Sequence, residues 1–236
     1  PNAMKKLEEF GIADYFLCPQ ISWGPKSAAI QAILTTLNLK SEAVAFVDDN
    51  AFERDEVGFA HPKVRTYDAE EAAGLTERPE FTVRFITQDS ANRRKMYQAD
   101  ISRQAAEQSF AGTAEEFLAT LDMRMDISRV TEQDLRRVEE LTIRTHQLNS
   151  TGYTYSYEEL LAMSQSPDYI FCICGLHDRY GDSGKVGLLL LERQEEALRL
   201  KLLIVSCRVM TRGTGSALLA YATQLAHECG KKLQAE

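Results

Sequence analysis

The chain has 236 residues, of which 44% are hydrophobic and 26% are charged. This balance is typical of a folded globular protein and leaves room for one large or two ordinary domains. Asp and Glu outnumber Lys and Arg by 35 to 27, giving a net charge of −8. This excess argues against nucleic acid as a partner, because few cations remain to neutralise phosphates.

The five cysteines are odd in number and scattered, and none forms a Cys-x-x-Cys pair that would suggest zinc. We therefore expect reduced thiols and a cytoplasmic location. The sequence shows neither an apolar stretch long enough for a membrane span nor a signal peptide, so we expect no membrane partner.

The first half of the chain predicts alternating helices and strands. Residues 25–39 place apolar side chains at helical spacing, and residues 43–47 form a short apolar strand. A helix is expected from Phe52, and residues 63–68 predict a second strand. This order is typical of half a doubly wound parallel sheet, in which ligands bind at the carboxyl ends of the strands.

Two adjacent carboxylates, Asp48 and Asp49, follow the first predicted strand. Like charges this close repel one another unless a cation lies beside them, so a metal or phosphate site is one interpretation. The alternative is a turn in which Asp49 and Asn50 cap the next helix. Lys26, one helix earlier, could neutralise a phosphate, or it could be a solvated residue of the first helical turn.

Residues 87–112 are polar and helix-prone, with a thin apolar stripe. We interpret them as a helical connector packed on the first unit, with the best domain boundary near Gly112. The sequence therefore divides into a first unit at 1–86, a connector at 87–112 and a second unit at 113–236.

The second unit predicts a strand at 123–130, a helix capped by Thr131, and further strands at 169–174, 186–193 and 198–207. We expect a polar loop between the strands at 169–174 and 186–193. A glycine-rich turn then opens an amphipathic helix, and the last residues begin another strand. The turn contains Arg212, Gly213, Gly215 and Ser216. Glycines at a helix N-terminus let the backbone approach a phosphate closely.

Two other side chains of the second unit are candidates for acid–base or nucleophilic chemistry. His146 lies in a polar segment and is either a general base or a hydrogen-bonded structural histidine. Cys207 precedes the glycine-rich turn, where Arg208 or the helix dipole could activate a thiolate. A buried, inert cysteine is the alternative.

The second unit resembles the acetyl-coenzyme A-dependent N-acyltransferase (GNAT) fold, whose fingerprint is Gln/Arg-x-x-Gly-x-Gly/Ala. Met210 occupies the Gln/Arg position here, and Arg212 lies close by. The resemblance implies that Arg212, Gly213, Gly215 and Ser216 hold the phosphates of coenzyme A or of a phosphopantetheine.

The whole chain resembles FkbH-like proteins, which join a haloacid dehalogenase-type (HAD) subfamily IIIC region to a GNAT-like region. The motifs are WGPKSAAI, AFVDDNAFERDEV, RTHQLNSTGYTYS, DRYGDSGKVG and LLIVSCRVMTRGTGSALL. The implied fold class is α/β: a partial HAD-type, Rossmann-like parallel sheet followed by a GNAT-like α/β unit. The segment RTHQLNSTGYTYS departs most from the family, so the substrate is expected to differ.

The resemblance implies an enzyme of polyketide or non-ribosomal peptide biosynthesis. Its activity would be the transfer of a glyceryl-type unit from 1,3-bisphosphoglycerate, a phosphorylated three-carbon substrate, to an acyl carrier protein. Lys26 would serve the phosphate, and Asp48 and Asp49 would hold Mg²⁺. The chain has no Asp-x-Asp-x-Thr nucleophile motif, so we interpret it as a fragment that cannot form an aspartyl-phosphate. The alternatives are a simple acyl-CoA-dependent N-acyltransferase and a non-catalytic module that docks a carrier protein.

Overall fold

The computed structural model describes residues 2–83, 85–145 and 154–235. The chain divides into two compact units, Pro1–Ile86 and Thr87–Glu236, and each is described by itself. No helix within the described ranges combines the length and apolar character needed to cross a bilayer.

In the first unit, helices and strands alternate along the chain, as the sequence predicts. The elements are α1 (Asn2–Glu9), α2 (Lys26–Leu37), β1 (Ala45–Asp48), α3 (Ala51–Ala60) and β2 (Arg65–Asp68). The strands β1 and β2 pair in parallel, with Asp48 opposite Asp68. The parallel order predicted for this half is therefore present as a β1–α3–β2 unit.

The core of the first unit lies between the two helices and the sheet. Ile30 and Leu34 of α2 pack with Val57 of α3 and with Val64, the residue before β2, and all four are at most 7% exposed. Helix α2 begins directly after Pro25, whose fixed φ suits that position, and ends at Asn38, which adopts a left-handed conformation with φ 50°. Asn50 caps α3 by accepting a hydrogen bond from the Phe52 amide.

The second unit is built on a mixed five-stranded sheet with the order β3–β4–β5–β6–β7. Its elements are α4 (Gln88–Ala91), α5 (Arg93–Ser109), α6 (Ala114–Ala119), β3 (Arg124–Arg129), α7 (Leu135–Arg144), α8 (Tyr157–Gln165), β4 (Tyr169–Asp178), β5 (Gly181–Arg193), β6 (Ala197–Val205), α9 (Thr214–Glu228) and β7 (Lys232–Ala235). Neighbouring strands are antiparallel except β6 and β7, which are parallel and connected through α9.

Both faces of this sheet are covered by apolar contacts, which explains why β4, β5 and β6 read as continuous hydrophobic runs. On one face, Cys174 and Leu189 pack with Leu218 of α9, and all three are fully buried. On the other face, Ile173 and Leu190 belong to a cluster that contains residues of α7 and α8. Gly187 of β5 allows the first contact to be close, because an added Cβ would lie 2.7 Å from Cys174 Sγ.

Two expectations need correction. The strands β4 and β5 continue through the polar stretch that the sequence analysis interprets as a loop, so that Arg179 and Tyr180 alone connect them. Residues 87–112, which the sequence analysis interprets as a separate connector, group with the second unit. The physical reason is electrostatic: Asp89 accepts a hydrogen bond from the Lys185 amide, and Arg103 forms an ion pair with Asp178.

Candidate functional site

The glycine-rich turn lies between strand β6 and helix α9. After β6 ends at Val205, residues Cys207–Arg212 form a 3₁₀ helix, and Gly213 adopts a left-handed conformation with φ 72°. Glycine favours this φ because a Cβ would crowd the following carbonyl oxygen. Helix α9 then begins at Thr214.

The first turn of α9 offers backbone donors at an accessible position. Gly213 and Ser216 are exposed, whereas Thr214 is buried and donates from Oγ1 to the Val209 carbonyl. The N–H groups in the first turn of a helix have no partner within the helix, and the positive end of its dipole favours an anion. The turn therefore has the local geometry of a phosphate site.

Arg212 points into a network of charges inside the second unit. Its guanidinium donates to Asp100 Oδ1 at 2.9 Å and to Ser183 Oγ at 3.1 Å, and lies 3.5 Å from Asp178 Oδ2. The side chain is only 7% exposed, and burial lowers the pKa of Arg212. An incoming phosphate would meet a guanidinium that already has carboxylate partners, so we consider the α9 amides the main candidate donors.

The arginine expected to activate Cys207 directs its guanidinium to partners inside the second unit. Cys207 is a free, exposed cysteine. The Arg208 guanidinium lies inside the unit, where it contacts Met96 Sδ at 3.3 Å and donates to the Ser183 carbonyl at 3.1 Å. The buried, inert alternative does not describe Cys207, and its role in an acyl-thioester stays a prediction. His146 lies outside the described residues.

In the first unit, the structure brings Lys26 to the carboxyl end of β1. Its Nζ lies 3.8 Å from Asp48 Oδ2 and 3.2 Å from Glu53 Oε2. Glu56 of α3 fixes the start of α2 by accepting hydrogen bonds from the amide and hydroxyl of Ser27. The ammonium thus faces two carboxylates, and the Asp48 side chain also accepts from the Asn50 amide at 2.9 Å.

Asp49 is exposed, and it is Asn50 that caps α3. Within the described ranges, no group of three His, Cys, Asp or Glu side chains is placed to hold a metal ion. The residues present therefore do not form a complete magnesium site, and we derive no step through Mg²⁺. Asp48 and Asp49 as metal ligands stay a prediction.

The buried ionic residues of the second unit were missed at the level of sequence. The Asp178 side chain is fully buried and accepts hydrogen bonds from Arg103 through both carboxylate oxygens, at 2.7 and 3.0 Å. A neighbouring group places Arg137 3.0 Å from Asp89 and 2.8 Å from Glu140. These pairs are up to 75 residues apart in sequence, so no local pattern indicates them. The one available sign of a buried charge was Asp178, at the end of an otherwise apolar strand.

Comparisons with solved structures return N-acetyltransferases. The ribosomal-protein-S18-alanine N-acetyltransferase from Escherichia coli matches at 17% identity with a TM-score of 0.37, over 45% of this chain and 62% of that one. The PaiA N-acetyltransferase from Thermoplasma acidophilum, solved in complex with coenzyme A, matches at 21% identity and TM-score 0.37, over 45% and 74%. Glucosamine-6-phosphate N-acetyltransferase from Arabidopsis thaliana matches at 14% identity and TM-score 0.37, over 48% and 82%.

The chain thus spans less than two thirds of the length of the S18-alanine enzyme. No protein-family model matches the chain, and no curated protein does either. Since the structural matches cover about half of the chain at TM-scores below 0.4, we base the functional interpretation on the strands, turn and charges described above.

Proposed function

We propose that the second unit is an acyltransferase module that binds a phosphopantetheine-bearing acyl donor, either acyl-CoA or an acyl carrier protein, at the start of α9. The observation that carries the proposal is the succession of β6, the left-handed Gly213 and the accessible first turn of α9. The parallel pairing of β6 with β7 places this turn at the crossover between two neighbouring strands, a position at which open α/β sheets bind ligands.

The chemistry proposed is the transfer of an acyl group from the donor thioester to an acceptor amine. The acceptor nitrogen attacks the thioester carbonyl, the carbon–sulfur bond breaks, the thiol leaves, and the amine loses one proton. The contribution of this chain is to bind the donor phosphate through main-chain amides and helix dipole. His146 as the general base and Cys207 as an acyl carrier are proposals that supplement this core.

The donor site is tested by adding a negative charge that stabilises helix α9 but repels the donor phosphate. Ser216 is exposed in the first turn of α9, where an acidic side chain stabilises a helix by about 0.3–1 kcal/mol. Ser216→Asp should therefore leave the melting temperature unchanged or slightly higher. The same charge should repel the donor phosphate and weaken coenzyme A binding by about tenfold or more in isothermal titration calorimetry.

Thr223→Asp is the matched control, since it adds the same charge to an exposed position of α9 about 10 Å further along the axis. It should retain most of the wild-type affinity. If the wild-type chain binds neither coenzyme A nor a holo carrier protein, or if both variants bind coenzyme A equally, the turn is not the donor site.

The finer proposal is that the chain belongs to an FkbH-like system, in which a glyceryl-type unit passes from 1,3-bisphosphoglycerate to an acyl carrier protein whose phosphopantetheine arm binds at this turn. The observation that favours it is Lys26 beside Asp48 at the carboxyl end of β1, the arrangement expected at a phosphate site. A holo carrier protein should bind this chain more tightly than the same protein lacking its phosphopantetheine arm. Equal binding of the two forms would support the alternative of a non-catalytic module that docks a carrier protein. A chain that binds neither but binds coenzyme A would be a simple acyl-CoA enzyme.

A further inference from the structure

Strand β3 forms one edge of the five-stranded sheet of the second unit. It pairs with β4 on one side, in an antiparallel register that places Arg129 opposite Cys172. Its other side, which we call the open edge, has no strand partner among the described residues. An unpaired edge is a template on which a further strand can form hydrogen bonds.

The hydrogen-bond pattern shows which residues of β3 face the open edge. The Val130 amide donates to the Phe171 carbonyl at 2.9 Å, and in an antiparallel ladder the hydrogen-bonded pairs recur at every second residue. The even-numbered residues of β3 therefore bond towards β4. The N–H and C=O groups of Met125, Ile127 and Arg129 point to the open edge, and no hydrogen bond joins those three amides to another residue in the described ranges.

The side chains of β3 divide between the two faces of the sheet. Met125 and Ile127 are half-buried and pack with the apolar cluster on the α9 face. Arg124 and Asp126 alternate with them and so lie on the opposite face, where both residues are exposed. Strand β3 thus carries a positive and a negative charge two residues apart on one face.

We propose that β3 pairs with β3 of a second copy of this chain, antiparallel about a two-fold axis, so that two five-stranded sheets become one continuous sheet. Hydrogen bonds form across the axis only where residues that face the open edge lie opposite one another. Met125 opposite Met125 of the second copy satisfies this condition. Arg124 then lies opposite Asp126 of the second copy, and the symmetry makes this contact twice.

The charges favour this register over its neighbours. Arg124 and Asp126 would form a non-hydrogen-bonded pair, in which the Cα atoms are only about 4.5 Å apart and the side chains are closest. Sliding one strand by two residues in either direction places Arg124 or Asp126 opposite its own copy, and like charges directly opposite are destabilising. On the α9 face, the same register places Ile127 opposite Met123 of the second copy, so apolar side chains also meet.

The rest of the second unit is compatible with such a sheet. Helix α7 packs on β5, α8 on β4, and α9 on β5, β6 and β7, so the main contacts of these helices are with strands other than β3. The opposite edge of the sheet, β7, is less suited to pairing with itself, because its four residues include Lys232 and no acidic side chain. The proposal does not rest on the donor site.

The test is the mass of the chain in solution as a function of concentration, measured by sedimentation equilibrium. The wild type should pass from monomer to dimer as its concentration rises to millimolar. Arg124→Asp and Asp126→Arg should each weaken the dimer about tenfold or more, because each turns two attractive pairs into two repulsive ones. The double variant exchanges the two charges, restores opposite signs and should dimerise within about threefold of the wild type.

Met125→Pro tests the backbone hydrogen bonds. Because the Met125 N–H faces the open edge, proline removes a donor to the second copy without removing a bond to β4, and proline is tolerated at such edge positions. This variant should keep the wild-type circular dichroism spectrum and remain monomeric. In the wild type, the Ile127 amide should become protected from hydrogen exchange as concentration rises, whereas the Ser128 amide, bonded to β4, should be protected throughout.

Lys232→Asp is the matched control, since it reverses an exposed charge at the opposite edge of the same sheet. It should dimerise as the wild type does. Three outcomes would overturn the proposal: a wild-type chain that stays monomeric at millimolar concentration, an equal loss in Lys232→Asp and Arg124→Asp, or a double variant no better than the single ones. If Met125→Pro does not fold, the exchange of charges still decides the question.

Discussion

The buried carboxylate of Asp178 should be the most sensitive single position of the second unit. Its side chain is 0% exposed, and it accepts two hydrogen bonds from Arg103 and others from the amides of Tyr180 and Gly181. Asp178→Asn keeps the shape and one acceptor oxygen but removes the charge. Arg103, itself 5% exposed, and Arg212 would then share Asp100 as their remaining carboxylate partner among the described residues.

Removing one partner of a buried ion pair costs about 3–5 kcal/mol, and here two buried guanidiniums would be left with one carboxylate between them. The second unit contains 150 residues, from 87 to 236. For that size, 1 kcal/mol changes the melting temperature by about 2–4 °C. We therefore expect the transition of this unit to fall by roughly 6–20 °C, measured by calorimetry or circular dichroism.

The pH dependence gives an independent test. Burial alone would raise the pKa of the Asp178 carboxyl, but the hydrogen bonds from Arg103 and Tyr180 hold it below its ordinary value of 3.8. A depressed pKa stabilises the fold above the unfolded value, and this stabilisation is lost as pH falls through the folded value. The gap between wild type and Asp178→Asn should therefore be full at pH 7 and shrink below about pH 4.

Asp182→Asn is the matched control, since Asp182 lies on the same hairpin with its side chain 59% exposed. It too keeps an acceptor, here for the Gly184 amide. We expect a change within about 0.5 kcal/mol. If Asp178→Asn lowers the melting temperature no further than this control, the ionic network does not hold α5 to the sheet.

Gly187→Ala should destabilise the second unit by about 1–3 kcal/mol in urea unfolding, because its Cβ would lie 2.7 Å from Cys174 Sγ. Gly175→Ala, whose Cβ would meet nothing closer than 3.6 Å, should lose much less stability. Equal losses of stability in the two variants would contradict this packing argument. Burial raises the pKa of the Cys174 thiol to about 12, so iodoacetamide at pH 8 should modify the exposed Cys207 and leave Cys174 unmodified. Peptide mass analysis measures both modifications, and modification of both cysteines in the folded chain would refute this. Glu56→Gln should lower the stability of the first unit by about 1.5–3 kcal/mol, because the charged acceptor of two hydrogen bonds is lost. An unchanged thermal transition of that unit would show that Glu56 does not stabilise the start of α2.

The strands and helices could be predicted well where a single physical pattern decides them. The apolar runs at 169–174 and 186–193 form the first part of β4 and the last part of β5, and most of their residues are buried. Thr131 and Asp134 form the predicted reciprocal cap, although the first turn is 3₁₀ and α7 begins at Leu135. Such local signals lie within a few residues and need no knowledge of the rest of the fold.

The prediction failed where distant residues decide the structure. The polar ends of β4 and β5 read as a loop because their side chains are hydrophilic, yet they continue as paired strands. Arg212 as a phosphate ligand stays a prediction, and no local pattern indicates that its guanidinium donates to Asp100, more than a hundred residues earlier. A charged side chain follows its ionic partner, and sequence spacing alone does not identify that partner.

The same reasoning bears on the acidic end of β1. Two adjacent aspartates suggested a cation, and the structure supplies one in Lys26, at 3.8 Å from Asp48. That ammonium also faces Glu53, and Asp49 adds a third, exposed carboxylate nearby in sequence. The three carboxylates therefore carry more negative charge than Lys26 alone can balance. Excess negative charge does not by itself make a metal site, because Mg²⁺ requires oxygens held at octahedral positions about 2.1 Å away. In the described part of the chain, Lys26 offsets the charge of Asp48, and Asp48 and Asp49 as metal ligands stay a prediction.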